Sequence, residues 1–263
     1  MNSNLLVVDV GNTNIVLGVY QGEHLVASWR LATARDRTAD EYGILARQLV
    51  SGTTSDPIAG AIVSSVVPPL NTTIEQMLGR YFDVAPLFVE PGTKSGMPIH
   101  TENPLEVGAD RIVNAVAAHH IYGGPSVVVD FGTATTFDLV SAQGEYEGGV
   151  IAPGLMISSE ALFARAARLP RVEIRRPSHL IGTNTVASMQ SGIYFGYLGL
   201  VDGILARIRD EVPGLEHVIA TGGLAPLLAA DSRYIDQVDE ELTLKGLKII
   251  YDRNRSSLRG KRR

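Results

Sequence analysis

Two short stretches carry the residue types that phosphate chemistry needs. Asp9-Val10-Gly11-Asn12-Thr13-Asn14 and Asp130-Phe131-Gly132-Thr133-Ala134-Thr135 each place an aspartate two residues before a glycine and follow it with small amide or hydroxyl side chains. A strand feeding a glycine turn can bring its backbone N–H groups against phosphate oxygens, because glycine leaves no Cβ in the way. The carboxylate at the strand end can hold a magnesium ion, which then neutralises the phosphates. Two such turns facing each other across a cleft would grip a triphosphate from both sides. The alternative is that Asp9 and Asp130 each satisfy their own turn, as aspartate does in an Asx-turn.

A third candidate is Gly108-Ala109-Asp110-Arg111, which opens a helix-like stretch after Asn103-Pro104. A carboxylate beside a guanidinium stays ionised and can orient an alcohol and accept its proton, while the arginine forks onto a carboxylate or phosphate. An ordinary surface Asp–Arg neighbour at a helix start has the same sequence. Other nucleotide and acyl-transfer signatures are missing: there is no Gly-x-x-x-x-Gly-Lys-Ser/Thr loop, no Gly-x-Gly-x-x-Gly after the first strand and no Gly-x-Ser-x-Gly elbow. Cysteine is absent, which excludes thiolate nucleophiles, disulfides and cysteine-ligated metals. His119-His120 are adjacent, so on a helix their rings diverge and do not form a metal pair.

The elements that must position these residues follow from the apolar pattern. Leu5–Val8 and Ile15–Tyr20 are apolar runs on either side of the first turn, and Gln21–His24 reads as a hairpin. Residues 25–33 predict a third strand. Thr38 is placed to cap a helix over 38–50 with Glu41 as the reciprocal partner. Residues 58–67 predict a strand that stops at Pro68-Pro69. The opening returns later: Ser126–Val140 lies on Leu5–Val19 without a gap, Asp130 on Asp9 and Gly132 on Gly11. A later strand ending in small residues also recurs, as Ala61–Ser65 and as His217–Gly223. Two matched pairs in the same order predict a duplicated unit, with segments 1–120, 121–252 and a basic tail 253–263. The stretch 242–251 is helix-like and can pack on either half.

At 263 residues, with 45% apolar and 19% charged side chains, the chain is long enough for two domains and is not a disordered polymer. A net charge of −5 argues against nucleic-acid binding through the whole surface. The tail holds six of the 23 basic residues and no acid; it reads as a solvated end, with a phosphate-contacting arm as the alternative. No apolar run approaches the roughly 20 residues of a membrane span. Met1-Asn2-Ser3-Asn4 lacks the basic start of a signal peptide, so the expectation is a cytoplasmic protein without membrane partners.

Together the two turns, Gly108–Arg111, Gly148-Gly149-Val150-Ile151-Ala152-Pro153-Gly154 and the later Thr221-Gly222-Gly223 resemble, in order and spacing, the motif series of type III pantothenate kinases. The resemblance implies an α/β fold of duplicated ribonuclease-H-like domains, of actin and sugar-kinase type, with a central cleft. It implies ATP-dependent phosphorylation of pantothenate, the first step of coenzyme A biosynthesis, with magnesium and a monovalent cation, potassium or ammonium. Residue by residue it assigns ATP and magnesium to Asp9, ATP to Val10, Gly11, Asn12, Thr13, Asn14, Ile15, Val16 and Thr133, and the monovalent cation to Asp130. It assigns pantothenate to Gly108, Ala109, Arg111 and Thr185, and catalysis to Asp110. Thr185 can equally cap the helix that follows. Thr101 stands where many relatives have tyrosine, with His100 beside it as a substitute contact or a solvated loop residue. The family further implies a homodimer, and Gly192–Val201 supplies three glycines and three aromatics for a helical interface or for a core helix.

Overall fold

The structure, a computed structural model, describes residues 4–166 and 169–260. The chain forms two compact units. One comprises Met1–Pro98, Glu102–Ala117 and Leu242–Arg263, the other Ile99–Thr101 and Ala118–Glu241.

The first unit is built on strands β1 (Asn4–Val10), β2 (Asn14–Gln21) and β3 (His24–Ala32), followed by helix α1 (Ala39–Ser51), β4 (Ile58–Ser65), α2 (Asn71–Phe82) and β5 (Pro86–Phe88). The sheet order is β3-β2-β1-β4-β5, with β1 antiparallel to β2 and parallel to β4. Leu5–Val8 is a continuous apolar run because the centre of this sheet is covered on both sides. Leu6, Val8 and Val10 join Ile15 and Leu17 of β2 under Tyr42 and Ala46 of α1 and Ile74 and Met77 of α2. Thr38 caps α1 as the sequence predicts: its hydroxyl accepts the Glu41 N–H and the Glu41 carboxylate accepts the Thr38 N–H at 2.8 Å. β4 ends at Ser65, short of residue 67, because Pro68 and Pro69 begin a 3-10 turn.

Helix α3 (Ala109–Tyr122) begins in the first unit and ends in the second. The second unit continues with β6 (Ser126–Phe131), β7 (Ala134–Val140), β8 (Tyr146–Pro153), α4 (Leu155–Arg165), α5 (Thr185–Glu211), β9 (His217–Thr221), α6 (Ala225–Ala229) and β10 (Gln237–Val238). Its sheet runs β10-β9-β6-β7-β8, the order of the first sheet read from the opposite edge. β6 is antiparallel to β7 and parallel to β9, repeating the pattern of β1. Val127, Val129 and Phe131 pack with Phe137 beneath Tyr194, Tyr197 and Val201 of α5. On the other face Asp138 is fully buried, its carboxylate accepting hydrogen bonds from Tyr146 at 2.7 Å and Thr136 at 2.8 Å.

Two expectations need correction, and one open alternative is decided in part. The gapless overlay holds through β1 and β6 but slips by one residue at the turn: Val10 pairs with Ile15, whereas Phe131 pairs with Thr135. The units are not contiguous halves, since helix α7 (Leu242–Gly260) returns to the first unit and packs on β1 and β4. There it meets α3, where Thr243 Oγ1 donates to Asn114 Oδ1 at 2.7 Å. The expected tail is therefore helix as far as Gly260; residues 261–263 lie outside the described residues. Finally, Tyr194, Tyr197 and Val201 point into the core of the second unit, while Gly192, Gly196 and Gly199 lie on the exposed side of α5.

Leu247 of α7 is fully buried in the first unit. Leu247→Ala is expected to cost about 2–5 kcal/mol in urea unfolding. A cost near zero would show that this helix is dispensable to the unit.

Candidate active site

In the first unit the candidate residues gather at the C-terminal ends of the parallel strands β1 and β4, the edge at which open α/β sheets bind ligands. Asp9 is half-buried at the end of β1, opposite Ser64 in the parallel register. The Gly11 N–H closes the turn on the Asn14 carbonyl at 2.9 Å. Thr33, just past β3, clamps the loop: its N–H donates to Thr13 O at 3.0 Å and its hydroxyl to Gly11 O at 2.7 Å. The Gly11 N–H is thus used internally, and Asn12 and Thr13 are the exposed side chains of the turn. Asn14 and Val16 are half-buried, while the Ile15 side chain belongs to the core.

The ladder continues past β4, with the Val66 N–H on Val10 O at 3.0 Å, and brings Val66 to the start of α3. A Cβ at Gly108 would stand 3.7 Å from Val66 Cγ1 and only 2.6 Å from Asp110 Oδ1. Glycine at 108 is what lets the Asp110 carboxylate fold back over the helix start. Asp110 Oδ1 accepts the Arg111 N–H at 2.8 Å, and Ala109 is the first helical residue. A carboxylate in a first turn is also favoured by the helix dipole. Gly108, Asp110 and Arg111 are all half-buried, so the group is reachable by a ligand.

The second unit repeats the first arrangement at the ends of β6 and β9. The Gly132 N–H closes its turn on Ala134 O at 3.1 Å, and the Gly154 N–H donates to Thr133 O at 3.2 Å. Thr133 is exposed at the tip. Asp130 lies opposite Thr221, and Gly222 follows with φ +89°. A Cβ on Gly222 would fall 2.7 Å from both Asp130 Oδ1 and Phe131 O. That cradle, lined by a carboxylate and a carbonyl oxygen, has the donor set of a hard monovalent cation. At Asp9 the fitting observation is the Ser64 hydroxyl, which is buried with no hydrogen-bond partner and stands opposite Asp9 in register. An all-oxygen pair suits magnesium.

Thr185 is the first residue of α5 and is exposed. The cap is Asn184, whose side chain accepts the Ala187 N–H at 2.9 Å, so the capping alternative for Thr185 falls away. Thr185 lines an open groove of about 710 Å³ with Leu162, Thr183, Met189 and Gly192. Tyr197 seals the inner side of α5: its hydroxyl donates to Pro153 O at 3.1 Å and contacts Thr135 Oγ1 at 2.5 Å. Burial pushes this phenol above its usual range.

Sequence reasoning missed Thr33 and Ser64, and it marked Thr101 only as a departure from the family pattern. Thr33 and Ser64 carry no motif and are found only through the turn hydrogen bonds and the strand register. Thr101 Oγ1 is buried without a hydrogen-bond partner, and its methyl lies 3.9 Å from a Cβ built on Gly148. The departure of this position from the family pattern was the available signal.

A family model described as type III pantothenate kinase matches residues 5–207. A type III pantothenate kinase of Koribacter versatilis is 60% identical over 97% of both chains. Among solved structures, a conserved protein assigned to the Baf family of transcriptional activators from Campylobacter jejuni superposes with a TM-score of 0.60 at 20% identity, covering 95% of this chain and 99% of that one. A ROK family glucokinase from Streptomyces griseus superposes at 0.54 with 11% identity, covering 97% and 100%. These two likenesses establish the fold, that of the actin and sugar-kinase group with duplicated ribonuclease-H-like units.

Gly222→Ala should lose about 2 kcal/mol of stability or more, because the methyl requires a left-handed backbone and meets two oxygens. Gly192→Ala, whose methyl meets nothing within 4 Å on a helix, should not destabilise. Equal urea midpoints for the two variants would contradict the tight packing at Asp130.

Proposed function

The chain belongs to the type III pantothenate kinase family, and from that premise we propose that it transfers the γ-phosphoryl group of ATP to the primary hydroxyl of pantothenate, the first step of coenzyme A biosynthesis. The observation that carries the reading is the pair of aspartate–glycine turns at the C-terminal ends of parallel strands in two units of one strand order.

Asp110 orients the pantothenate hydroxyl and takes its proton as the phosphoryl group transfers. Its folded-back carboxylate over Gly108 and its bond to the Arg111 N–H support this role, since both restrict its rotamers. Phosphoryl transfer passes through a loose transition state, so positioning matters more than basicity. Arg111, Gly108, Ala109 and Thr185 contact pantothenate; the guanidinium pairs with its carboxylate. Asp9 to Val16 and Thr133 contact ATP, with Asn12, Thr13 and Thr133 as exposed side-chain donors and acceptors. Asp9 would hold magnesium and Asp130 potassium or ammonium, and these ions would supply positive charge against the triphosphate. The enzyme works in the cytoplasm with its donor ATP; among the described residues no helix is long and apolar enough to cross a membrane.

The test of this reading is a coupled assay for ADP release. We expect turnover that requires pantothenate and is higher in potassium than in sodium buffer, with the potassium effect lost in Asp130→Asn. Asp110→Asn should keep the fold and ATP binding while lowering kcat by roughly 10²-fold, the lower end for a general base. Phosphorylation of glucose or acetate in place of pantothenate would overturn the assignment.

Thr101 is proposed as a further pantothenate contact. A buried hydroxyl without a partner costs about 1–3 kcal/mol, and a ligand hydrogen bond would recover it. Thr101→Val should therefore leave stability unchanged or raised, and raise KM for pantothenate roughly tenfold with kcat little altered. An unchanged KM removes the residue from the site.

A homodimer is also proposed. Gly192, Gly196 and Gly199 form an open stripe on α5 that admits close helix approach. Gly196→Arg should give a soluble monomer by sedimentation where the wild type is a dimer. A wild type that sediments as a monomer at working concentration ends the idea.

A further inference from the structure

The segment 99–101 extends the second sheet beyond β8. Ile99 pairs with Tyr146 in parallel, and the His100 N–H donates to Tyr146 O at 2.8 Å. Tyr146 turns inward, where it is fully buried and bonded to Asp138. Its neighbours Glu145 and Glu147 therefore project from the opposite face of the strand. His100 sits between them. Its Nδ1 is 3.4 Å from Glu147 Oε1 and its Nε2 is 3.9 Å from Glu145 Oε1. One ligand atom from each of the three side chains can be chosen so that all lie within 4.8 Å of one another. The remaining Glu145 oxygen accepts a hydrogen bond from Ser141 Oγ at 3.4 Å, an outer contact that orients the carboxylate.

We propose that His100, Glu145 and Glu147 form a binding site for a divalent first-row transition ion, Zn²⁺ being the probe. The donors are one imidazole and two carboxylates held by backbone register, a set that suits zinc and its neighbours. The imidazole sets the site apart from the all-oxygen environments at Asp9 and Asp130, because magnesium prefers oxygen ligands and keeps its water. Three protein ligands leave a coordination position open to water, consistent with the exposure of His100 and Glu147. The ion would neutralise two adjacent carboxylates and fasten the segment 99–101 to β8.

The experiment is a calorimetric titration of the chelator-stripped full chain with ZnCl₂, read beside its thermal unfolding. We expect saturable binding of one ion per chain and a raised Tm with zinc. His100→Ala and Glu147→Gln should each weaken the affinity about tenfold or more and abolish the zinc-induced rise in Tm. Their melting without metal, matched to the wild type, verifies that they fold; if His100→Ala melts early, Glu145→Gln takes its place. Absence of saturable binding overturns the proposal. So does an affinity that the two variants retain, or displacement of zinc by magnesium at equal concentration.

Discussion

The parallel pairing of a central strand with the strand that follows its hairpins and a helical crossover is the constraint on which both candidate turns rest. β1 cannot reach β4 without a crossover, and the crossover carries α1 over one face of the sheet. The pairing then brings two strand ends to one edge of the sheet. There the chain must leave the ladder, and at that point Asp9 and Ser64, or Asp130 and Thr221, become neighbours. No local propensity sets these pairs; the register does. In the first unit one further bond, Val66 N–H to Val10 O, carries the ladder far enough to bring Val66 against the start of α3.

The slip between the repeats follows from the same register. A one-residue change inside a strand would turn its apolar side chains to the wrong face. The difference is instead absorbed in the turn, which is one residue shorter in the second unit. The inward positions then stay in phase: Ile15 corresponds to Thr135 and Leu17 to Phe137, all buried. A gapless overlay had set Leu17 against Asp138, a residue buried on the other face. Periodicity recognised two copies of a strand–turn–strand unit. It could not place the deletion, because Thr135 and Thr136 are equally polar and only the pairing partner tells them apart.

What was legible in the sequence was local. Thr38 and Glu41 close a capping box three residues apart, and the proline pair ends β4; both are decided by a few neighbouring dihedrals. What was not legible depends on distant chain. Nothing in Leu242–Tyr251 says whether the helix joins the second half or the first; Thr243 finding Asn114 and Leu247 finding an apolar floor decide it. Asn184 and Thr185 are both competent caps, and the choice falls on the last residue that keeps extended dihedrals, which is Asn184. The aromatic-rich part of α5 gave composition without direction. Tyr197 faces inward because Thr135 and Pro153 O satisfy its hydroxyl there, which leaves the glycines outside. Residue 101 could be flagged as unusual from sequence, yet its buried, unpartnered hydroxyl is a tertiary fact.

The two turns are held by one common bond and differ in the side chain that anchors it. In each, the N–H of the residue after the third strand donates to the threonine carbonyl of the turn: Thr33 to Thr13, Gly154 to Thr133. In the first unit the anchoring residue keeps its side chain, and the Thr33 hydroxyl adds a second bond to Gly11 O. In the second a side chain is forbidden, since a Cβ at 154 would lie 2.2 Å from Thr133 O and 2.7 Å from Gly132 O. Gly154 instead serves as the residue from which α4 starts at once, whereas α1 begins only after a further loop capped by Thr38. In the second unit the turn is one residue shorter, the anchor is glycine and the next helix starts at the strand end. Duplicated units with the same strand order thereby come to present different surroundings to Asp9 and to Asp130: a threonine-clamped loop beside the first, a glycine that starts a helix beside the second.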